Sequence, residues 1–318
     1  MQPRSPAARS AWSPIEVRRS QASVCPLISS AEANGRTLDR YAASLLASGQ
    51  DAANLAVAFT GHASEELRGC LVHELVLRGI AVAEIPGIAR WATSSHWRRH
   101  PLGGLPLTRS DIESRSDLPR YSSRGSSHSM PFGPSESREP AVLTGVRSSS
   151  AQETTTEADA TVIATAVANW AEESNGRIEA RGFDLAKPLD PASVPAALLT
   201  PGLDCLRGAG KKAALSVTVL PPAQAWRVVF GAASSGGAYS RGSFGAYGRL
   251  AAWRSLAALA GCPEGATPDE VEPQVRDCVW HGFDADTKWF EQVAWDIGLA
   301  ALAPDRRRLA VLAATDTD

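Results

Sequence analysis

Long apolar runs and paired cysteines are both missing from this 318-residue chain. No stretch reaches the roughly 18–20 apolar residues that a membrane-spanning helix requires. The five cysteines are scattered and none forms a Cys-x-x-Cys pair, which argues against a disulfide framework and against a zinc site. The N-terminal segment carries arginines but no apolar core, so it is not a secretory signal. These absences predict a cytoplasmic protein with reduced cysteines and with neither a metal nor a cofactor.

An excess of charge of either sign is also missing. The 32 basic side chains nearly balance the 34 acidic ones, which leaves a formal net charge of −2. Nothing therefore attracts the whole chain to nucleic acid or to an anionic membrane, and we expect neither as a partner. Another protein is the partner that we expect. Hydrophobic residues make up 44% of the chain, which is close to the globular average and sufficient for an ordinary core.

The N-terminal part has the periodicity of short helices. Thr37 is placed to cap a helix whose apolar residues follow at helical spacing. Ser64, followed by two glutamates, predicts a second helix start, because its hydroxyl accepts an unpaired backbone N–H and the acids face the positive end of the helix dipole. That helix is expected to end at Arg78-Gly79, where glycine adopts the left-handed cap.

The middle of the chain changes composition, and regular patterns then return. Residues 110–150 are rich in serine, proline and glycine, which predicts a loop or a disordered segment. Four strands are predicted after it, at Arg177–Leu185, Leu215–Val219, Cys278–Phe283 and Leu309–Ala313. Helices are predicted between them, including one over Lys288–Leu302. We therefore expect an α+β fold, with a helical N-terminal region, a long polar loop and a mixed α/β C-terminal domain. The expected boundaries are a disordered N-terminus at 1–35, a helical region at 36–109, a flexible loop at 110–156 and an α+β domain at 157–318.

The glycine-rich segment GGAYSRGSFGAYGRL, at residues 236–250, admits two interpretations. Free N–H groups at the following helix start, with a nearby arginine, are suited to an anion. Alternatively, Gly242, Gly245 and Gly248 leave one helix face bare for close packing, and Gly236-Gly237 ends the preceding helix. The spacing fits neither a Walker A loop nor a dinucleotide-binding loop. The ligand-binding candidates in and after this segment are Tyr239, Arg241, Arg249 and Arg254.

A second candidate is the pair Asp284 and Asp286, which follows a predicted strand. Such a pair can bind a metal or assist phosphoryl transfer, but Asp286 or Thr287 is better interpreted as the N-cap of the next helix. His73-Glu74 begins like a zinc-protease helix, but Leu77 stands where the second histidine is required, so the sequence does not predict a zinc site there.

Two segments carry a family resemblance. The run GGAYSRGSFGAYGRLAAWRSLAALAG and the C-terminal run DTKWFEQVAWDIGLAALAPDRRRLAVLAATDTD resemble an uncharacterised actinobacterial family, the domain of unknown function numbered 6183. The similarity extends over about residues 36–318. It implies a cytoplasmic bacterial protein and supplies no activity, cofactor or catalytic residue.

Two function hypotheses from different classes remain open. The first is a non-enzymatic interaction or regulatory protein, because no catalytic constellation is legible. The second is an enzyme or a small-ligand sensor, with an anion- or metal-binding cleft near the glycine-rich turn and the pair Asp284/Asp286. If the candidate arginines and aspartates converge in one polar cleft, the second hypothesis is favoured; if they are scattered, the first is.

Overall fold

The computed structural model describes residues 26–113, 118, 120–122, 125–127, 151–209, 214–290 and 295–317. The chain divides into two compact units, residues 1–35 and residues 36–318. Apart from the start of the first helix, the features described below belong to the second unit. No helix within the described residues is both long enough and apolar enough to cross a membrane.

Helices dominate the N-terminal part and alternate with strands after it. The α-helices of the described residues are α1 (Pro26–Gly49), α2 (Val57–Thr60), α3 (Glu65–Leu77), α4 (Ile88–Trp91), α5 (Ser95–Arg99), α6 (Glu157–Ile163), α7 (Ala168–Glu173), α8 (Val194–Leu198), α9 (Pro222–Ser235), α10 (Phe244–Leu259) and α11 (Pro268–Asp277). The strands are β1 (Arg120–Ser122), β2 (Gly125–Ser127), β3 (Ala151–Glu153), β4 (Arg177–Leu185), β5 (Leu215–Leu220), β6 (Val279–Ala285), β7 (Asp296–Leu302) and β8 (Arg308–Thr315). The predicted α+β class is therefore confirmed.

Six strands form one antiparallel sheet in the order β3-β4-β8-β7-β6-β5, and β1 and β2 form a separate pair. The central strand β8 has Leu312 and Ala314 in one hydrophobic cluster, and Leu309 and Val311 in another. Because successive side chains of a strand point to opposite faces, β8 is covered on both sides. This explains why its sequence is continuously apolar rather than alternating.

The predicted helix over Lys288–Leu302 is wrong, because residues 296–302 form strand β7 between β6 and β8. Like β8, this strand is buried on both faces, with Leu299 and Ala300 on opposite sides. A short apolar run of this kind has no period-two pattern, so periodicity does not distinguish it from a buried helix. No helix begins at Asp286 or Thr287, so the prediction that one of these residues caps a helix is also wrong. The Thr287 hydroxyl instead donates to the Cys205 carbonyl.

Several helix boundaries were predicted correctly. The Ser64 hydroxyl accepts from the N–H of Leu67 at the start of α3, and Gly79 follows the helix with a positive φ of 74°. Gly236 is the C-cap of α9, with φ 82°. Thr37, however, lies inside α1, which begins at Pro26, so the predicted start at Thr37 is wrong. Much of the predicted loop, including residues 128–150, lies outside the described residues, and the domain boundaries stay a prediction.

Helix α10 belongs to two hydrophobic clusters at once. Its Ala252 and Leu256 pack in the cluster that lies between the helices and one face of the sheet. Its Ala246 is buried in the cluster formed by α3, α4, α5 and their connections, against which Tyr247 also packs. Burial of apolar surface is the main favourable term in folding, so α10 joins the N-terminal helices to the sheet. Hydrogen bonds from polar groups of α10 to α3 also connect it to the N-terminal helices.

Candidate functional site

The first turn of α10 is capped by another helix. Ser243 stands at the N-cap but makes no hydrogen bond with its side chain, and Phe244 has a φ of 61°, in the left-handed region. The Glu74 carboxylate of α3 accepts from the backbone N–H of Gly245 at 2.9 Å and also from Arg78. A carboxylate at a helix N-terminus is stabilised by the helix dipole. Glu74 is 1% exposed, so α3 provides a buried cap for α10.

One turn further along α10, Arg249 is buried beside Glu113, and the two side chains form an ion pair of 2.6 Å. The Glu113 carboxylate binds both Nε and Nη2 of the guanidinium. Nη1 and Nη2 also donate to the backbone carbonyls of Pro106 and Thr108, and Nη1 lies 2.7 Å from His73 Nδ1. A guanidinium has five N–H donors, and these five contacts use all of them.

His73 completes this network from α3. Its Nε2 lies 3.0 Å from the Leu102 carbonyl, so Nε2 donates to that oxygen and Nδ1 accepts from Arg249. Burial lowers the pKa of His73 well below its ordinary value, and the neighbouring Arg249 charge lowers it further. The imidazole is therefore held neutral in a single tautomer, because a proton on Nδ1 would oppose the guanidinium.

A second polar cluster surrounds Glu66 of α3 and includes Tyr247 of α10. Tyr247 donates to one Glu66 oxygen at 3.0 Å, and Arg40 donates to the other at 2.9 Å. His100 Nε2 lies 3.3 Å from the same carboxylate. Burial alone would raise the pKa of Glu66, but the neighbouring side chains of His100, Arg40 and Tyr247 outweigh it and lower the pKa to about 2. Glu66 thus carries its charge throughout the neutral range and binds α1, α3 and α10 together.

A cleft of about 300 Å³ opens beside the Arg249 network. One wall is the segment of residues 104–113, and the other is formed by α10 and α11. About half of its lining side chains are apolar, and they supply most of the exposed lining surface. Trp253 stands next to the buried pair, with its indole N–H donating to Glu113 at 2.6 Å. The charged residues that line the cleft beyond Arg249 and Glu113 are Arg109, Asp111, Arg254 and Glu272. Pockets of this size and mixed lining are typical of sites for small molecules.

The structure brings together only two of the six predicted ligand-binding residues. Arg249 and Arg254 both line the cleft. Tyr239 is 65% exposed on the glycine-rich turn, and Arg241 lies on the same turn. Asp284 lies in β6 opposite Ser216 of β5, and neither it nor the exposed Asp286 lines the cleft. Within the described residues, no group of three or more metal-ligating side chains converges.

The N–H groups expected to bind an anion at the glycine-rich turn have protein acceptors instead. Gly237 donates to the Ser240 hydroxyl, and Ala238 donates to the buried Asp316 carboxylate. The N–H of Arg241 donates to Glu173. The alternative of close packing fits better, because a Cβ at Gly245 or Gly248 would meet Glu74 or Ser234 within 3 Å. The glycines do not form a single bare face, since Gly242 and Gly248 approach α9 whereas Gly245 approaches α3.

Sequence reasoning missed Glu113, which lies buried beside Arg249 at the cleft floor, and two α3 side chains that bond to α10. His73 and Glu74 did not fit a zinc motif and were given no other role, although a pair of polar side chains inside the apolar run CLVHELVL is itself a signal of buried partners. Glu113 had no such signal, because it lies at the edge of a serine-rich segment. Its partner is 136 residues away, which sequence spacing does not reveal.

These features define an α+β protein that has a small, partly apolar cleft beside a fully bonded buried arginine. A family model matches residues 15–318, so the chain belongs to the family of unknown function DUF6183, as the glycine-rich and C-terminal runs indicated. Comparison with curated proteins and with solved structures gave no significant match.

Proposed function

We propose that this protein is a non-enzymatic regulatory protein that binds a small molecule in the cleft between residues 104–113 and helices α10 and α11. The observation that carries the proposal is the cleft itself: most of its lining surface is apolar, and arginines and carboxylates stand at its edge. Such a combination supplies affinity through burial and orientation through a few polar contacts.

The placement of the cleft supports a regulatory role. One wall precedes the serine-rich middle segment, and the other belongs to the helices that pack on the sheet. A ligand that contacts both walls binds more tightly when the walls are docked against each other, and it therefore favours the docked conformation. The size of this shift is set by the difference in binding free energy between the docked and undocked states. Binding is thereby coupled to the arrangement of α10, which contacts both the N-terminal helices and the sheet.

The bonding of the polar groups at the floor supports binding rather than catalysis. Both oxygens of Glu113 accept two hydrogen bonds each, from Arg249, from the Trp253 indole and from the backbone N–H of Ser110. A carboxylate so occupied is not available as a general base, since a base must reach the proton that it abstracts. Arg249 has no donor left for a substrate, and His73 is covered by it.

A cleft-filling variant tests the proposal. Ala257→Leu adds three carbons inside the cleft, whereas Ala258→Leu adds them to the neighbouring residue, which does not line it. We expect a fragment library screened by ligand-observed NMR to yield molecules that bind wild type and Ala258→Leu but not Ala257→Leu. A library that yields no binder, or binders that Ala257→Leu retains, would refute the proposed site. Circular dichroism verifies that both variants fold.

A further inference from the structure

The charges around the cleft indicate what kind of molecule it accepts. Arg249 and Glu113 neutralise each other at the floor, so neither contributes net charge to a ligand. At the edge, Glu272 is paired with Arg276 of the following turn at 2.5 Å. The edge charges outside these pairs are those of Arg109, Arg254 and Asp111. Their sum is +1, and a positive site in a partly apolar surrounding favours an anion.

Hydrogen-bonding capacity points the same way. Arg109 Nη1 is buried and has no hydrogen-bond partner within the described part of the chain. Buried donors are nearly always paired, so one that lacks a protein acceptor beside a cleft indicates an acceptor supplied from outside. Exposed Arg254 likewise makes no hydrogen bond or ion pair with any described residue. Two guanidinium groups beside one cleft are suited to a carboxylate, whose two oxygens match the planar donor fork of arginine.

The remainder of the lining is suited to a flat apolar body. Trp253 presents its ring system beside Leu105, Ala257 and Val271, all of which line the same space. The volume of about 300 Å³ lies at the lower end of the range for ligand pockets, roughly 300–1,000 Å³, so the ligand is small. Aromatic faces pair favourably with other aromatic groups in offset or edge-on arrangements.

We infer that the ligand of this cleft is a small aromatic carboxylate, whose ring packs against Trp253 and whose carboxylate binds Arg109 and Arg254. This inference rests on the proposed function, which requires only that some small molecule occupies the cleft. The carboxylate supplies the acceptor that the buried Nη1 of Arg109 lacks, and it neutralises the charge excess at the edge.

Matched probes test the chemical class by isothermal titration calorimetry on the full-length protein. Indole-3-acetate and benzoate carry the carboxylate, indole-3-acetamide is the neutral counterpart, tryptamine is the cationic one, and inorganic phosphate lacks the ring. We expect indole-3-acetate to bind about tenfold or more tightly than the amide or the amine, because hydrogen bonds to a charged group contribute more than neutral ones. Phosphate should bind more weakly than either carboxylate.

Arginine variants locate the binding site. Arg254→Gln and Arg109→Gln should each weaken indole-3-acetate about tenfold and leave the affinity for indole-3-acetamide nearly unchanged. Arg241→Gln, an arginine on the glycine-rich turn outside the cleft, is the matched control and should bind like wild type.

Each contrary result has a distinct meaning. The carboxylate assignment would be overturned, while the proposed function stands, if indole-3-acetate and indole-3-acetamide bind equally tightly. The same holds if neither Arg109→Gln nor Arg254→Gln weakens the binding of indole-3-acetate. Phosphate as tight as indole-3-acetate would overturn the aromatic half of the inference. If no organic probe binds and the fragment library also yields none, the proposed function fails together with the inference.

Discussion

Close packing of α10 against α9 makes a sharp prediction at Gly248. A Cβ added there would lie 2.7 Å from Ser234 Cβ and 2.9 Å from Ser234 Cα. Non-bonded carbon atoms pack at about 3.5–4.0 Å from each other, so the two helices must separate by ~1 Å to admit even a methyl group. The obstacle is partly backbone, which cannot rotate away as the end of a side chain can.

Two opposing terms set the size of the effect. Replacing glycine by alanine inside a helix gains up to about 1 kcal/mol of helix propensity. Overpacking a well-filled core costs ~1–3 kcal/mol. Because Gly248 is buried and Ser234 is fully buried, we expect the cost to prevail for Gly248→Ala and to grow further for Gly248→Val. Gly245→Ala should also destabilise, because its Cβ would displace the Glu74 oxygen that accepts the Gly245 N–H.

Urea unfolding followed by circular dichroism measures these changes. Gly49→Ala, at the exposed end of α1, is the matched control, since a Cβ there meets nothing within 4 Å. It should stabilise the protein or leave it unchanged, because alanine lowers the entropy of the unfolded chain. A Gly248→Ala protein at least as stable as wild type would refute the close-packing account of the glycine-rich segment.

Two further predictions concern the buried network. Arg249→Met should cost about 3–5 kcal/mol in unfolding free energy, because it leaves the Glu113 charge buried without its partner. Adding Glu113→Gln to this variant should recover part of the loss. Arg254→Met, which changes an exposed arginine of the same helix, is the control and should melt like wild type. An Arg249→Met protein of wild-type stability would show that the ion pair with Glu113 does not stabilise the fold. The second prediction is that the free energy of unfolding falls as the pH drops below about 6.5, with a slope of up to ~1.4 kcal/mol per pH unit. The reason is that His73 takes up a proton in the unfolded chain, whereas its lowered pKa keeps it unprotonated in the folded protein. His73→Gln should remove that part of the slope when unfolding free energies are compared between pH 8 and pH 5, and an unchanged slope would show that His73 is not held neutral.

Local signals in the sequence predicted much of the fold. The cap at Ser64, the glycine ends at Gly79 and Gly236 and the strand at Arg177–Leu185 each depend on residues within a few positions of one another, and the structure has them there. Strand β7 was missed because it is buried on both faces, and its run of small and apolar residues has no alternation. The class of the fold was therefore accessible, whereas the identity of one central strand was not.

The cleft was accessible only in part. Arg249 and Arg254 lie near the glycine-rich segment that drew attention to them, but Arg109 and Glu113 come from a stretch without any pattern. Contacts over 136 and 176 residues, from Arg249 to Glu113 and to His73, depend on how α3 and α10 pack. The way two helices pack depends on all the side chains of the faces in contact, so residue spacing in the sequence does not predict which side chains will meet.

The indole N–H of Trp253 offers the most direct test of the central claim, that the cleft beside Arg249 is a ligand site. This group donates to Glu113 at the cleft, and its resonance is identified by its loss in Trp253→Phe. In a titration with indole-3-acetate, followed by proton–nitrogen correlation spectra, we expect the Trp253 indole peak to shift and saturate. The peaks of fully buried Trp170, Trp226 and Trp280, which do not line the cleft, should stay in place. A Trp253 peak that does not move at any concentration, or equal movement of all four, would contradict the claim.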